Sequence, residues 1–70
     1  MAGLEEIIGR VIRRERQDRQ LTIKELGDNA GLSEIYVGEI ERGESNVTIQ
    51  TLKTVADTLG VKIAEIVKGL

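Results

Sequence analysis

The stretch GLSEIYVGEIERGESN, residues 31 to 46, gathers Ser33, Glu34, Tyr36, Glu39, Arg42 and Asn46 into one short span. Hydroxyl, carboxylate, guanidinium and amide groups at this density suit hydrogen bonding to the edges of bases, to sugars or to phosphates. They are poorly suited to catalysis. The chain has no His and no Cys, which excludes disulfides, structural zinc and nearly every triad or thiol mechanism, and leaves carboxylates and Lys as the only general bases. No constellation for an enzyme appears, and no metal-ligand spacing. Neither an enzyme, a metal site nor a cofactor is expected.

The elements that must present these groups are marked by the spacing of apolar residues and by Gly and Ser/Thr punctuation. Leu4, Ile7, Ile8, Val11 and Ile12 recur at three- and four-residue intervals, the buried stripe of a first helix over about residues 4 to 18. Thr22 with Glu25 three residues on forms a capping box for a second helix, 22 to 30, which buries Ile23, Leu26 and Ala30 and stops at Gly31. Ser33 caps a third helix, 33 to 42, ended by Gly43. Thr48 opens a fourth, 48 to 59, with Leu52, Val55, Ala56 and Leu59 as its stripe, and a short fifth covers 62 to 68. Strand alternation is absent. The expected fold is a compact all-α bundle of five helices in one domain, residues 1 to 70. Its second and third helices are joined so tightly that they must cross steeply as a helix-turn-helix.

On the third helix, turning Val37 and Ile40 inward places Ile35, Glu39 and Arg42 outside, with Tyr36 and Gly38 on the flanks and Glu34 at the exposed start. The second helix of a helix-turn-helix reads base edges through its N-terminal residues. Ser33, Glu34, Ile35, Tyr36, Gly38 and Glu39 are therefore the candidates for readout. Glu can accept a hydrogen bond from the cytosine amino group, and Ile35 can meet a thymine methyl or a partner protein, although single exposed aliphatics are common. Tyr36 either packs on the sugar-phosphate backbone or covers the core edge; Asn46 either touches phosphate or bonds its own loop. Tyr36 is the only aromatic residue, so stacking on single-stranded bases is not expected.

Formal net charge is −2, which argues against a histone-like binder, but local charge decides phosphate contact. Residues 1 to 24 hold six Lys/Arg against four Asp/Glu, while residues 25 to 70 hold four against eight. The basic part is IGRVIRRERQDRQ, with Arg10, Arg13, Arg14, Arg16 and Arg19. It is either a source of phosphate contacts or a solvated face of i,i+4 ion pairs. Cations near the third helix would be Lys24, Arg42 and some of these arginines, and the helix starts at Thr22 and Ser33 add backbone amides suited to phosphate.

The segments IGRVIRRERQDRQLT, KELGDNAGLS, YVGEIERG and TLKTVADTLGV together resemble the Cro and phage-repressor type of helix-turn-helix regulators over about residues 7 to 68. The resemblance implies a sequence-specific repressor or activator binding DNA as a homodimer. It also implies that Arg16 and Glu41 pair to tie the first helix to the end of the third, and that Thr22 is a phosphate-binding cap. Ile23 stands where many members have a Gln that grips the backbone. The run YVGEIERGESNVT is similar to controller proteins of restriction-modification systems, but Glu34 and Ser45 occupy positions where those tend to carry Arg.

The expected function is a double-stranded DNA-binding transcriptional regulator, with the third helix in the major groove and Ile49, Val61, Ile63, Val67 and Leu70 as candidates for a dimer surface. The competing reading is a protein-binding module that uses the acidic surface of the same helix. No apolar run approaches the roughly 20 residues that span a bilayer, and the start MAGLEEIIGR is acidic where a signal peptide is basic. A soluble cytoplasmic protein is expected, with no membrane and no small-molecule ligand.

Overall fold

The computed structural model describes residues 3 to 68. Five helices follow in chain order: α1 (Leu4–Asp18), α2 (Ile23–Ala30), α3 (Glu34–Arg42), α4 (Ile49–Leu59) and α5 (Ile63–Val67). The described residues contain no strand. The helices begin one residue after the expected starts at 22, 33, 48 and 62, because those residues are the half-in caps. Thr22 Oγ1 accepts the Glu25 amide at 3.0 Å while Glu25 Oε1 accepts the Thr22 amide at 2.8 Å. Ser33 Oγ accepts the Tyr36 amide at 3.0 Å and Thr48 Oγ1 accepts the Thr51 amide at 3.1 Å. Each bond satisfies an amide that the first turn leaves unpaired.

The core takes Ile8 and Ile12 from α1, Leu26 from α2, Val37 and Ile40 from α3, Leu52, Val55, Ala56 and Leu59 from α4, and Ile66 from α5. Two expectations for these stripes need correction. Leu4 is 55% exposed, since the first residue of α1 lies beyond the edge of the core, and Ile7 and Val11 are only half-buried. Ile23 and Ala30 of α2 are likewise half-buried, which leaves Leu26 as the residue that roots that helix. Of the apolar residues considered for a dimer surface, Val61, Ile63 and Val67 pack against the core as half-buried residues and Ile49 is 75% exposed. Leu70 lies outside the described residues.

The position of α3 is set by how closely α1 approaches its C-terminal end. A Cβ on Gly9 would collide with the Ile40 carbonyl oxygen and lie 2.6 Å from that of Glu41. Only glycine lets the two backbones meet there. One turn earlier in α1, Glu6 packs against Gly43, whose φ of 74° closes α3. Among the described residues no helix is long and apolar enough to cross a membrane.

Two alanine substitutions separate close approach from turn conformation. Gly9→Ala should lower unfolding free energy by about 2–3 kcal/mol, the usual cost of overpacking against atoms that cannot withdraw. Gly60→Ala, with φ of 75° and nothing within 4 Å of the added methyl, should cost only about 1 kcal/mol of left-handed strain. Urea denaturation measures both, and equal losses would show that Gly9 does not set the α1–α3 spacing.

Candidate nucleic-acid interface

Three residues, Gly31 to Ser33, connect α2 to α3, and their path is held by backbone. The Leu32 amide donates to the Gly27 carbonyl at 2.8 Å, and a Cβ on Gly27 would sit 2.6 Å from the Leu32 carbonyl oxygen. The turn is therefore packed directly onto the last turns of α2. Beneath it, α3 is tethered by Arg16 of α1, whose Nε and Nη2 donate to Glu41 Oε2 and Oε1 at 2.7 and 3.0 Å while Nη1 donates to the Leu21 carbonyl at 2.7 Å. Both members of the pair are buried. The Glu41 hydrogen bond, opposed in part by burial, holds the Arg16 pKa above its usual value. With Val37, Ile40 and Glu41 buried, α3 presents its opposite side to solvent.

That side carries Glu34 and Ile35, the latter 75% exposed. Tyr36 is half-buried against the core. Glu39 is half-buried, and its Oε1 accepts the Ser45 hydroxyl at 3.2 Å. Gly38, expected on a flank, is instead buried: the Arg42 side chain folds back one turn and lies over it, so that a Cβ on Gly38 would be 3.0 Å from Arg42 Nη1. Arg42 is in turn paired with Glu44, Nε to Oε2 at 3.0 Å. The Thr22 and Ser33 hydroxyls are engaged as caps, and Asn46 is exposed in the following loop.

Each nearby cation has a carboxylate neighbour. Lys24 donates to Asp28 at 2.9 Å, which raises its pKa, and the Glu44 hydrogen bond does the same for Arg42. Across residues 22 to 46, Lys24 and Arg42 stand against Glu25, Asp28, Glu34, Glu39, Glu41 and Glu44, with Glu41 compensated by Arg16. The helix-turn-helix surface is thus acidic. The arginines of α1 do not offset this equally: Arg16 is committed to Glu41 and Arg19 pairs with Glu15 at 2.8 Å. Arg10, Arg13 and Arg14 are exposed on the side of α1 away from the core, with no ion-pair partner among the described residues. Glu44 and Ser45 were invisible as partners in the sequence because they sit two and six residues beyond the groups they touch, in a loop where no helical spacing applies.

The chain matches the helix-turn-helix family HTH_3 over residues 12–66. It belongs to that family. It is 38% identical over 60 residues to the immunity repressor protein of Bacillus phage phi105, covering 86% of this chain and 42% of that protein. Among solved structures it resembles the restriction-modification controller protein C.AhdI from Aeromonas hydrophila, with a TM-score of 0.86, 29% identity, and coverage of 89% of this chain and 94% of that one. It also resembles the biofilm regulator SinR solved in complex with DNA, with a TM-score of 0.80, 32% identity, and coverage of 84% and 95%. Both resemblances seen in the sequence, to phage repressors and to controllers, hold. The chain spans between 40% and 46% of the length of several curated relatives. Several of these relatives are described as HTH-type transcriptional regulators, among them SlrR of Bacillus subtilis.

The tether beneath α3 yields a stability prediction. Glu41→Ala would strand the buried Arg16 guanidinium and should cost about 3–5 kcal/mol of unfolding free energy. Glu25→Ala, which removes one bond of an exposed capping box, should cost about 1 kcal/mol. Chemical denaturation of the two variants side by side tests the ranking, and a reversed order would show that the pair is dispensable.

Proposed function

We propose that this chain is a sequence-specific double-stranded DNA-binding transcriptional regulator that acts in the cytoplasm as a homodimer, with α3 in the major groove. The observation that carries this reading is the division of α3 into an anchored end and a free end. Its C-terminal turn is fastened by Arg16, Gly9 and Glu6, while Glu34 and Ile35 at its start are exposed. A rigid helix with a free first turn is what base-edge readout requires. The likeness to SinR, solved with DNA, supports the same reading.

On this reading Ser33, Glu34, Ile35, Tyr36 and Glu39 approach the groove. Thr22, Lys24, Arg42 and Asn46 serve the phosphates, and the amides at the starts of α2 and α3 add anion contacts without side-chain charge. Gly38 contributes by giving room to Arg42 rather than by touching DNA. Residues 1 to 70 act as one binding unit needing no cofactor or small-molecule ligand. Exposed Ile49 and the half-buried edge of Val61, Ile63 and Val67 supply the dimer contact. A two-fold dimer then spaces its half-sites by about 10 bp.

Selection of bound duplexes from a randomised library at moderate salt should enrich a two-fold motif with that spacing. A folded protein that enriches nothing would move the search to a protein partner for the acidic face of α3. In binding assays, Glu34→Arg should tighten DNA binding about tenfold across all sequences and Arg42→Glu should weaken it by at least as much, since each changes the charge facing the backbone. Unaltered affinity in both would remove α3 from the interface.

A further inference from the structure

The loop after α3 is folded back on the helix that it leaves. Gly43 turns the chain at φ 74°, its amide donates to the Ile40 carbonyl at 3.1 Å, and the Glu44 amide donates to the Glu39 carbonyl at 2.9 Å. These bonds return Ser45 to the side of α3, where its hydroxyl donates to Glu39 Oε1 at 3.2 Å. Glu39 Oε2 has no hydrogen-bond partner among the described residues. The side chain is half-buried, and Arg42, one turn away, is close enough for Glu39 to act on its charge. One carboxylate oxygen is thus held and the other unengaged, on the exposed side of the proposed reading helix.

We propose that Glu39 selects a cytosine in the recognised sequence and that Ser45, outside the helix, is the positioning residue that gives Glu39 this discrimination. The proposal rests on the DNA-binding reading above. An ionised carboxylate only accepts hydrogen bonds. In the major groove, cytosine offers an amino donor with no acceptor of its own, whereas guanine presents N7 and O6, thymine O4, and adenine an N7 acceptor beside its amino group. The lone pairs of those three repel the carboxylate. The hydroxyl of Ser45 matters because a free Glu can rotate away from a wrong base at little cost, whereas a held one must meet it. Restraint converts mismatch into lost binding.

The test is library selection with the wild-type chain and three variants, each first checked for an unchanged helical spectrum and melting temperature. The wild type should enrich a two-fold motif with one C·G pair per half-site that Glu39→Gln converts to A·T, because a Gln amide matches the donor and acceptor of adenine. All other positions should stay as they were. Ser45→Ala should reduce the preference for cytosine at that one position about fivefold, and Ser45→Thr should restore it. A wild-type motif in which no position responds to Glu39→Gln overturns this inference while leaving the regulator reading standing. Ser45→Ala that weakens every position equally overturns the positioning role. A folded wild type with no motif overturns both the inference and the reading beneath it.

Discussion

Everything that α3 presents depends on the buried pair between Arg16 and Glu41. Burying two charges costs several kcal/mol per ion in desolvation, and the pair recovers this only when its geometry is good and its remaining donors are satisfied. Both conditions are met: the guanidinium fork is bidentate on Glu41, and its third donor ends on the Leu21 carbonyl. No buried side-chain polar atom among the described residues lacks a partner. The same guanidinium therefore links α1, the α1–α2 connection and the end of α3. An apolar pair could fill the space, but it would not set direction as a planar fork does. The close approach at Gly9 sets the distance, and the fork sets the orientation.

With one end of α3 so fixed, the opposite end can be exposed without becoming loose. The Ser33 cap makes this workable, because it satisfies an amide of the first turn without any tertiary contact. That turn can then carry Glu34 and Ile35 into solvent at no cost to the core. A seventy-residue chain has a small core, and here its apolar residues come from all five helices. Short helices of eight to eleven residues would be marginal alone, so packing and caps hold them together.

Most of this architecture was legible in the sequence, because caps, glycine stops and apolar spacing are local signals. Thr22 with Glu25, Ser33, Gly43 and Thr48 each announce a boundary within four residues of the group they satisfy. Leu4 misled because periodicity reports the face of a helix and not how far along it the neighbours reach. Gly38 misled for a related reason: its angle on the helix is right for a flank, but the side chain four residues later covers the space that a glycine leaves open. Glu44 and Ser45 were beyond reach, since their contacts with Arg42 and Glu39 exist only once the left-handed turn at Gly43 sends the loop backwards. The pairing of Arg16 with Glu41 was expected only from the resemblance of the chain to Cro and phage-repressor regulators; twenty-five residues of separation carry no local signal.

Charge is distributed in a way that bears on how such a protein finds its site. Exposed Arg10, Arg13 and Arg14 lie on the face of α1 away from the core, while Glu34, Glu39 and Glu44 cluster on and after α3. On the DNA-binding reading, the unpaired positive charge that would attract phosphate therefore lies on α1 and not on α3 itself. The proposed association would then gain little from steering, with weak non-specific binding and a shallow salt dependence as the expected consequence. Weak non-specific binding has a compensating effect, because the quantity that decides occupancy in a genome is the ratio of specific to non-specific affinity. On the proposed reading, carboxylates facing the groove would lower both affinities through the backbone field, but opposite cytosine they would recover a hydrogen bond without the acceptor that adenine sets beside its amino group. An acidic recognition helix is thus a physically consistent way to exchange affinity for selectivity, provided that its carboxylates are held in place.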